Sequence, residues 1–296
     1  MTKYQLVSDY KHIKTYKESF NELAKKVFGI DFKKWYEEGC WNENYICYSF
    51  IHGEQVIANA SISKMTVVSN GIEYKAIQVG TVMTQPDYRN QGLSGELMNH
   101  IIEKYEKETD FIYLFANKTV LDFYKKFGFE KVQESSFSLY VSDFSKQKVQ
   151  AGTLRQLATE NTSDLQLMKE FAKKRIPVSS KLGIRNNEHL LMFYFLLVFN
   201  DAIFYIEEED VIVIFKEEDA HLHIYDVISN KNFELDSILN YIISDETKLI
   251  HFYFTPDDKG KKINTKFITE NNDTLFVRPL IKDVSAHFVF PLTSHS

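Results

Sequence analysis

Cysteine is scarce: Cys40 and Cys47, seven positions apart, are the two in 296 residues. With no further Cys or His pattern around them they exclude a cysteine-built zinc site and a disulfide framework, and they read as ordinary reduced thiols. Concentrated positive charge is also missing. Lys and Arg number 35 against 41 Asp and Glu, for a net charge of −6, and no basic block interleaves with aromatics. A nucleic-acid partner is therefore not expected, since phosphate binding needs a basic face. Long apolar runs are absent as well. The longest, Leu190 to Phe199, is about half of the ~20 residues that a membrane-spanning helix requires. The opening MTKYQLVSDYKHIKTYKESF lacks the apolar core of a signal peptide. The expectation is a cytoplasmic protein with no membrane partner.

What the chain does have is apolar material, 44% of its residues, with 24 Phe and 17 Tyr. That is enough for packed cores, and the length suits two domains of ~150 residues. Tyr16, Phe20, Leu23, Ala24 and Val27 recur at helical spacing, which predicts a helix from Lys14 to Phe28 ended by Gly29. Asp31 reads as the N-cap of a short helix carrying Phe32, Trp35 and Tyr36. Three strands follow, Tyr45–His52, Gln55–Val68 and Tyr74–Thr84. Their turns, His-Gly-Glu at 52–54 and Ser-Asn-Gly at 69–71, suit hairpins. Leu93, Leu97, Ile101 and Tyr105 then mark a helix, Phe111–Phe115 a buried parallel strand, Thr119–Phe127 a short helix and Phe129–Val141 a last strand. The fold class is α/β with a mixed sheet, whose central strands need a crossover helix.

The polar stretch 142–152 marks a boundary, giving domains at 1–148 and 149–296. Beyond it come helices at 163–174 and 188–199, a hairpin of Ala202–Ile206 and Val211–Phe215, and a strand at 221–228. A helix at 235–243 and strands at 249–254, 275–277 and 286–290 complete the chain. The order repeats the first half coarsely with no visible sequence repeat. It reads as a second, degenerate copy of the same fold.

Chemistry concentrates between Val79 and Glu130. Arg89-Asn90-Gln91-Gly92-Leu93-Ser94-Gly95 joins a strand ended by Pro86 to an amphipathic helix. Gly92 permits a tight turn and close approach of a ligand, and amides at a helix start with its dipole can hold a pyrophosphate. An ordinary strand–loop–helix connection explains the loop equally well. Asn117 ends the next strand, where it either serves a ligand lying between splayed strands or caps the following helix. Tyr124, seven residues on, can give a proton to a departing thiolate or simply fill a core. His221 and His223 alternate on one strand face but lack the neighbours of a metal site. Glu207–Asp210 and Glu217–Asp219 read as solvated hairpin tips, with attraction of a polycationic amine the alternative.

Taken together, these features resemble the GNAT superfamily of N-acetyltransferases. Its acetyl-CoA loop, Arg/Gln-x-x-Gly-x-Gly/Ala, is matched by Arg89, Gly92 and Ser94. Its following motif, Asn-x-x-Ala-x-x-Leu-Tyr-x-x-x-Gly-Phe, is matched by Asn117, Val120, Phe123, Tyr124, Gly128 and Phe129. Ser94 replaces a smaller Gly or Ala, and Val and Phe replace Ala and Leu. The resemblance spans residues 1–141 and is strong over 79–130.

It implies acetyl transfer from acetyl-CoA, as co-substrate, to a primary amine of a small molecule. Val82, Met83 and Thr84 would hold the pantetheine arm, the amides of Asn90 to Gly95 the pyrophosphate, and Tyr124 would act as general acid. No base is visible between 79 and 130. Two-copy members of the enhanced-intracellular-survival type use their own C-terminal carboxylate, which points to Ser296, although a terminal strand docking for structural reasons is the plainer reading. Trp35, Tyr36 and Trp41 are candidate walls of the acceptor pocket, and core packing explains them as well. The second half, lacking an Arg-x-x-Gly-x-Gly pattern, would shape that pocket and bind no cofactor. The competing readings are a non-catalytic acyl-CoA-binding sensor or scaffold, and an interaction domain that has lost its ligand site.

Overall fold

The computed structural model describes residues 4–145, 153–257, 260, 262–269, 273–280 and 285–296. In chain order the elements begin with β1 (Gln5–Ser8), α1 (Lys14–Phe28), α2 (Lys33–Glu37), β2 (Tyr45–His52), β3 (Gln55–Ser69) and β4 (Ile72–Thr84). There follow α3 (Leu93–Tyr105), β5 (Phe111–Asn117), α4 (Leu121–Lys125), β6 (Glu130–Val132) and β7 (Ser135–Tyr140). The second half contributes β8 (Leu154–Gln156), α5 (Thr162–Lys174), β9 (Leu182–Arg185), α6 (Glu188–Phe193), β10 (Ile203–Ile206) and β11 (Val211–Glu218). Last come β12 (His221–Ser229), α7 (Leu235–Ile242), β13 (Leu249–Phe252), β14 (Asn264–Phe267) and β15 (Asp273–Arg278).

Local chemistry accounts for the framing elements. α1 turns Phe20, Leu23 and Ala24 inward. It stops where Gly29 adopts φ 72° and returns its amide to the Lys25 carbonyl, an αL cap that a side chain would resist. The long β3–β4 hairpin turns through Asn70 and Gly71, both at positive φ, as a two-residue turn of type I′ requires. Leu93, Leu97, Ile101 and Tyr105 are buried on α3, which lies over the first sheet with Ile57, Ile62, Ile77 and Leu114.

Two sheets result. The first runs β1-β2-β3-β4-β5-β15-β6, with β9 added along β3; the second runs β8-β10-β11-β12-β13-β7-β14. Strand for strand, orientations agree. β4–β5 and β12–β13 are parallel, and the remaining neighbours along both paths are antiparallel. α3 crosses over between β4 and β5, and α7 between β12 and β13.

The sheets exchange one strand each. β15 lies between β5 and β6 in the first sheet, while β7 lies between β13 and β14 in the second. Phe129–Val141, expected as one strand, is thus two strands in different sheets, broken at Gln133–Glu134. The buried Glu134 side chain accepts the Phe290 amide there at 2.9 Å, and its carbonyl accepts the Ile268 amide at 2.9 Å. Residues 286–290, expected as a strand, join no ladder. Their backbone bonds to Thr255 Oγ1, the Glu134 carboxyl and the Ser135 amide instead. Of the polar stretch expected as a boundary, residues 146–152 lie outside the described residues. α1, α2, α5 and α6 share one core containing Phe20, Trp35, Trp41, Met168, Phe171 and Leu191.

Candidate active site

β4 is where the site originates. It pairs with β5 only over Ala76–Gln78, yet both strands run on, to Thr84 and Asn117. The two therefore splay, leaving strand-edge groups without each other as partners. On its other edge β4 carries a bulge: Gly80 faces Ser61 and Met83 faces Asn59, so Thr81 and Val82 together oppose Ala60. Thr81 sits at φ 50°, which is costly for a β-branched residue. A chain of buried polar groups holds it there. Tyr10 Oη bonds Ser49 Oγ (2.6 Å), Ser49 Oγ donates to Asn59 Oδ1 (2.8 Å), and Asn59 Nδ2 donates to the Thr81 carbonyl (2.9 Å). Tyr45 Oη meets Thr81 Oγ1 at 2.8 Å. The sequence signal for this brace was polar Ser49 and Asn59 inside apolar strands.

A cavity of about 810 Å³ occupies the splay. The thirteen residues expected to bind the co-substrate or take part in the chemistry line it: Val82, Met83, Thr84, Arg89, Asn90, Gln91, Gly92, Leu93, Ser94, Gly95, Asn117, Tyr124 and Ser296. Asn90 and Gly92 adopt φ 62° and 81°, which turns the loop into α3. The Glu96 amide closes on the Gly92 carbonyl at 3.1 Å. The amides of Leu93, Ser94 and Gly95 precede that bond and face the cavity end of the helix, where the dipole favours an anion. A Cβ at Gly92 would meet nothing within 4 Å, so the space above the loop is open. Ser94 Oγ bonds Thr84 Oγ1 at 2.8 Å, tying loop to strand.

Asn117 Oδ1 accepts from the Thr119 amide (3.0 Å) and hydroxyl (2.6 Å), which closes a turn ahead of α4; the helix itself begins after Val120 with no side-chain cap. Tyr124 is buried against Phe123, Phe129 and Phe276. Its hydroxyl makes no hydrogen bond among the described residues, and burial pushes the phenol up to about 12. It stays protonated through the neutral range and lines the cavity as a donor.

The chain's last residues come in from the far side. Thr293 Oγ1 donates to Asp226, which forms a buried two-pronged pair with Arg175 (2.8 and 3.1 Å). Gln78 Nε2 donates to the Ser294 carbonyl at 3.0 Å, and His295 stacks on Phe115 with centroids 3.6 Å apart. Ser296 then lies so close to Gly80 that a Cβ there would be 2.9 Å from its carbonyl carbon and oxygen. Asp273 is a cavity carboxylate that sequence reasoning missed. It enters on β15 opposite Asn117, and strand exchange across the molecule leaves no local signal.

Of the expected acceptor walls, Trp35 lines the cavity, joined by Phe32, Tyr45, Leu190 and Phe193. Trp41 does not; it is core, with its indole bonded to the Tyr45 carbonyl at 3.1 Å. Nor does Tyr36, which packs beneath Lys17. Neither acidic run, 207–210 or 217–219, reaches the cavity.

Residues 11–132 match the acetyltransferase (GNAT) domain family. The whole chain is similar in fold to a conserved protein of Enterococcus faecalis, at 16% identity over 94% of this chain and 72% of that one, with a TM-score of 0.61. A GCN5-related N-acetyltransferase from Kribbella flavida aligns at 16% identity over 93% and 71%, TM-score 0.56. Eis1 from Mycobacterium abscessus aligns at 12% identity over 91% and 73%, TM-score 0.57. The bulged β4, the glycine turn into α3 and the splay all lie inside residues 11–132, the segment that matches the GNAT acetyltransferase domain.

Proposed function

We propose that the protein is an N-acetyltransferase that moves the acetyl group of acetyl-CoA to a primary amine of a small molecule by direct attack. The carrying observation is that one cavity collects an open anion-binding loop, splayed strand edges and an unpartnered, protonated phenol. Acetyl-CoA supplies an activated thioester. The amides of residues 90–95 would hold its pyrophosphate, and the free edge of Val82–Thr84 its amide-bearing arm. An amide of that edge polarises the carbonyl as negative charge develops.

Tyr124 supports the departing sulfur. A phenol titrating at about 12 is a weaker acid than a thiol of ~8.5. It therefore acts chiefly by donating a hydrogen bond to the forming thiolate. Two carboxylates would be available to take the proton of the attacking amine: the Asp273 side chain and the α-carboxylate of Ser296. The aromatic wall of Phe32, Trp35, Tyr45 and Phe193 would receive the apolar body of the acceptor. Because α6 supplies Leu190 and Phe193 follows on it, residues 149–296 shape the acceptor side, and 1–148 bind the co-substrate.

The second unit reads as a degenerate copy without a cofactor of its own. Its corresponding cavity, at the start of α7 and beyond β13, is lined by Glu234 and Asp257 and by Val68 and Gly71 of the β3–β4 hairpin. Acidic groups there oppose an anion.

The test is thiol release from acetyl-CoA against a panel of primary amines. Tyr124→Phe is expected to lower kcat by about 10²–10⁴ with acetyl-CoA affinity nearly intact. Unchanged kcat removes Tyr124 from the reaction, and binding with no turnover on any amine favours an acyl-CoA sensor. Asp273→Asn compared with removal of the last three residues identifies the base: the one that lowers kcat while acetyl-CoA affinity stays intact carries it.

A further inference from the structure

Along the sequence His221 and His223 lack the neighbours of a metal site, and the fold supplies one. β12 and β13 run parallel with His223 directly beside His251. One ring nitrogen from each of His221, His223 and His251 lies within 4.8 Å of the other two. The three rings occupy the face of the second sheet opposite α7, since the intervening Leu222, Ile224, Ile250 and Phe252 point into the core beneath that helix.

The geometry points to a binding site for one divalent transition-metal ion, of the zinc class, held by His221, His223 and His251. An ion with metal–nitrogen bonds of ~2.0–2.1 Å in tetrahedral geometry sets its ligand nitrogens roughly 3.3–3.4 Å apart. His251 Nε2 and His221 Nδ1 already stand at 3.0 Å, close enough that one ion can bridge them. His223 needs only a side-chain rotation from its place beside His251, their centroids 4.9 Å apart and rings nearly parallel at 12°. Tyr253 Oη contacts His223 Nδ1 at 3.0 Å. A ligating imidazole ordinarily gives its second nitrogen to such a partner, which fixes tautomer and ring orientation, so His223 would present Nε2. Glu218 lies directly across from His221 on β11 and offers a carboxylate for the fourth position, with water the alternative. Three imidazoles and one oxygen favour zinc, nickel or copper over magnesium or calcium.

The ion would brace the molecule rather than join the chemistry. The Tyr253 carbonyl accepts the Leu292 amide at 3.0 Å, so the ordering of Tyr253 extends to the terminal turn that carries Ser296.

Calorimetric titration of the tag-free full chain with Zn²⁺, repeated with Co²⁺ by visible absorption, tests the site. One equivalent of Zn²⁺ should bind saturably at neutral pH, with a Co²⁺ spectrum of tetrahedral intensity and a rise in Tm that a chelator reverses. Losing a second-shell partner costs about 10–100-fold in affinity, so Tyr253→Phe should weaken Zn²⁺ by that range and His251→Ala by more than about 100-fold. Both side chains are partly exposed on a sheet face, and far-UV dichroism would verify that each variant is folded. His12→Ala serves as the control and should bind like the parent. Absence of saturable Zn²⁺ binding up to about 100 µM overturns the proposal, as does parental affinity in His251→Ala.

Discussion

Replacing Glu134 with Gln changes one atom at the point where the chain passes from the first sheet to the second. Glu134 is 6% exposed. Burial raises its carboxyl from an ordinary 4.5 to about 7, against the opposing pull of the Phe290 amide, which favours the charged form. In the unfolded chain the same carboxyl ionises near 4.5. Between those two pH values the folded state holds a proton that the unfolded state has released, so stability falls as pH rises through this window and levels off above it. At ~1.4 kcal/mol per pH unit the gap amounts to roughly 3 kcal/mol. Glutamine keeps an oxygen for the Phe290 amide and never ionises. Denaturant unfolding at pH 4, 6 and 8 should therefore show little difference at pH 4 and a variant more stable by about 3 kcal/mol at pH 8. A difference that is constant across pH, or a variant less stable at pH 8, would refute the assignment of the burial cost to Glu134.

Gly80→Ala should displace Ser296, because the new methyl would sit 2.9 Å from the terminal carbonyl carbon. Fluorine labelling near the C-terminus, or its susceptibility to carboxypeptidase, would report this, and an unchanged terminus would count against the close approach. If Ser296 carries the base, kcat falls in step. Asn59→Ala removes the link between Ser49 and Thr81, leaving buried partners unmet at about 1–3 kcal/mol each. We expect a loss of ~2–4 kcal/mol in stability with weakened acetyl-CoA binding, both measurable by calorimetry; full affinity would show that the bulge stands without its brace.

Much of the first unit was legible because its signals are local. The helical stripe from Tyr16 to Val27 and the Asn70-Gly71 turn depend on neighbours within a few residues, and α1, β2 and the β3–β4 turn fall where spacing placed them. The loop at 89–95 was readable for the same reason, since glycine and helix start sit side by side. What escaped depends on residues far apart in the chain. An alternating run over 129–141 looks like one strand whichever sheet receives its ends, and only the second sheet reveals that β7 belongs there. Asp273 and His251 are invisible until β15 and β13 find their partners. Trp35 and Trp41 have the same composition signal, yet one lines the cavity and the other fills the core, a distinction set by the direction of two side chains.

The exchanged strands also have a consequence for how the protein is made. β5 emerges from the ribosome with its outer edge bare, and the strand that covers it, β15, begins 156 residues after β5 ends. At ~5–20 residues per second that edge waits roughly 8–30 s, exposing a row of Phe, Ile, Tyr and Leu that can pair with another nascent chain. A gene cut after residue 148 would make the wait permanent. Its product would keep the loop, the bulge and Tyr124, and would be expected to collect in aggregates. The sheet that holds the splayed strands is closed only when β15 arrives to lie between β5 and β6.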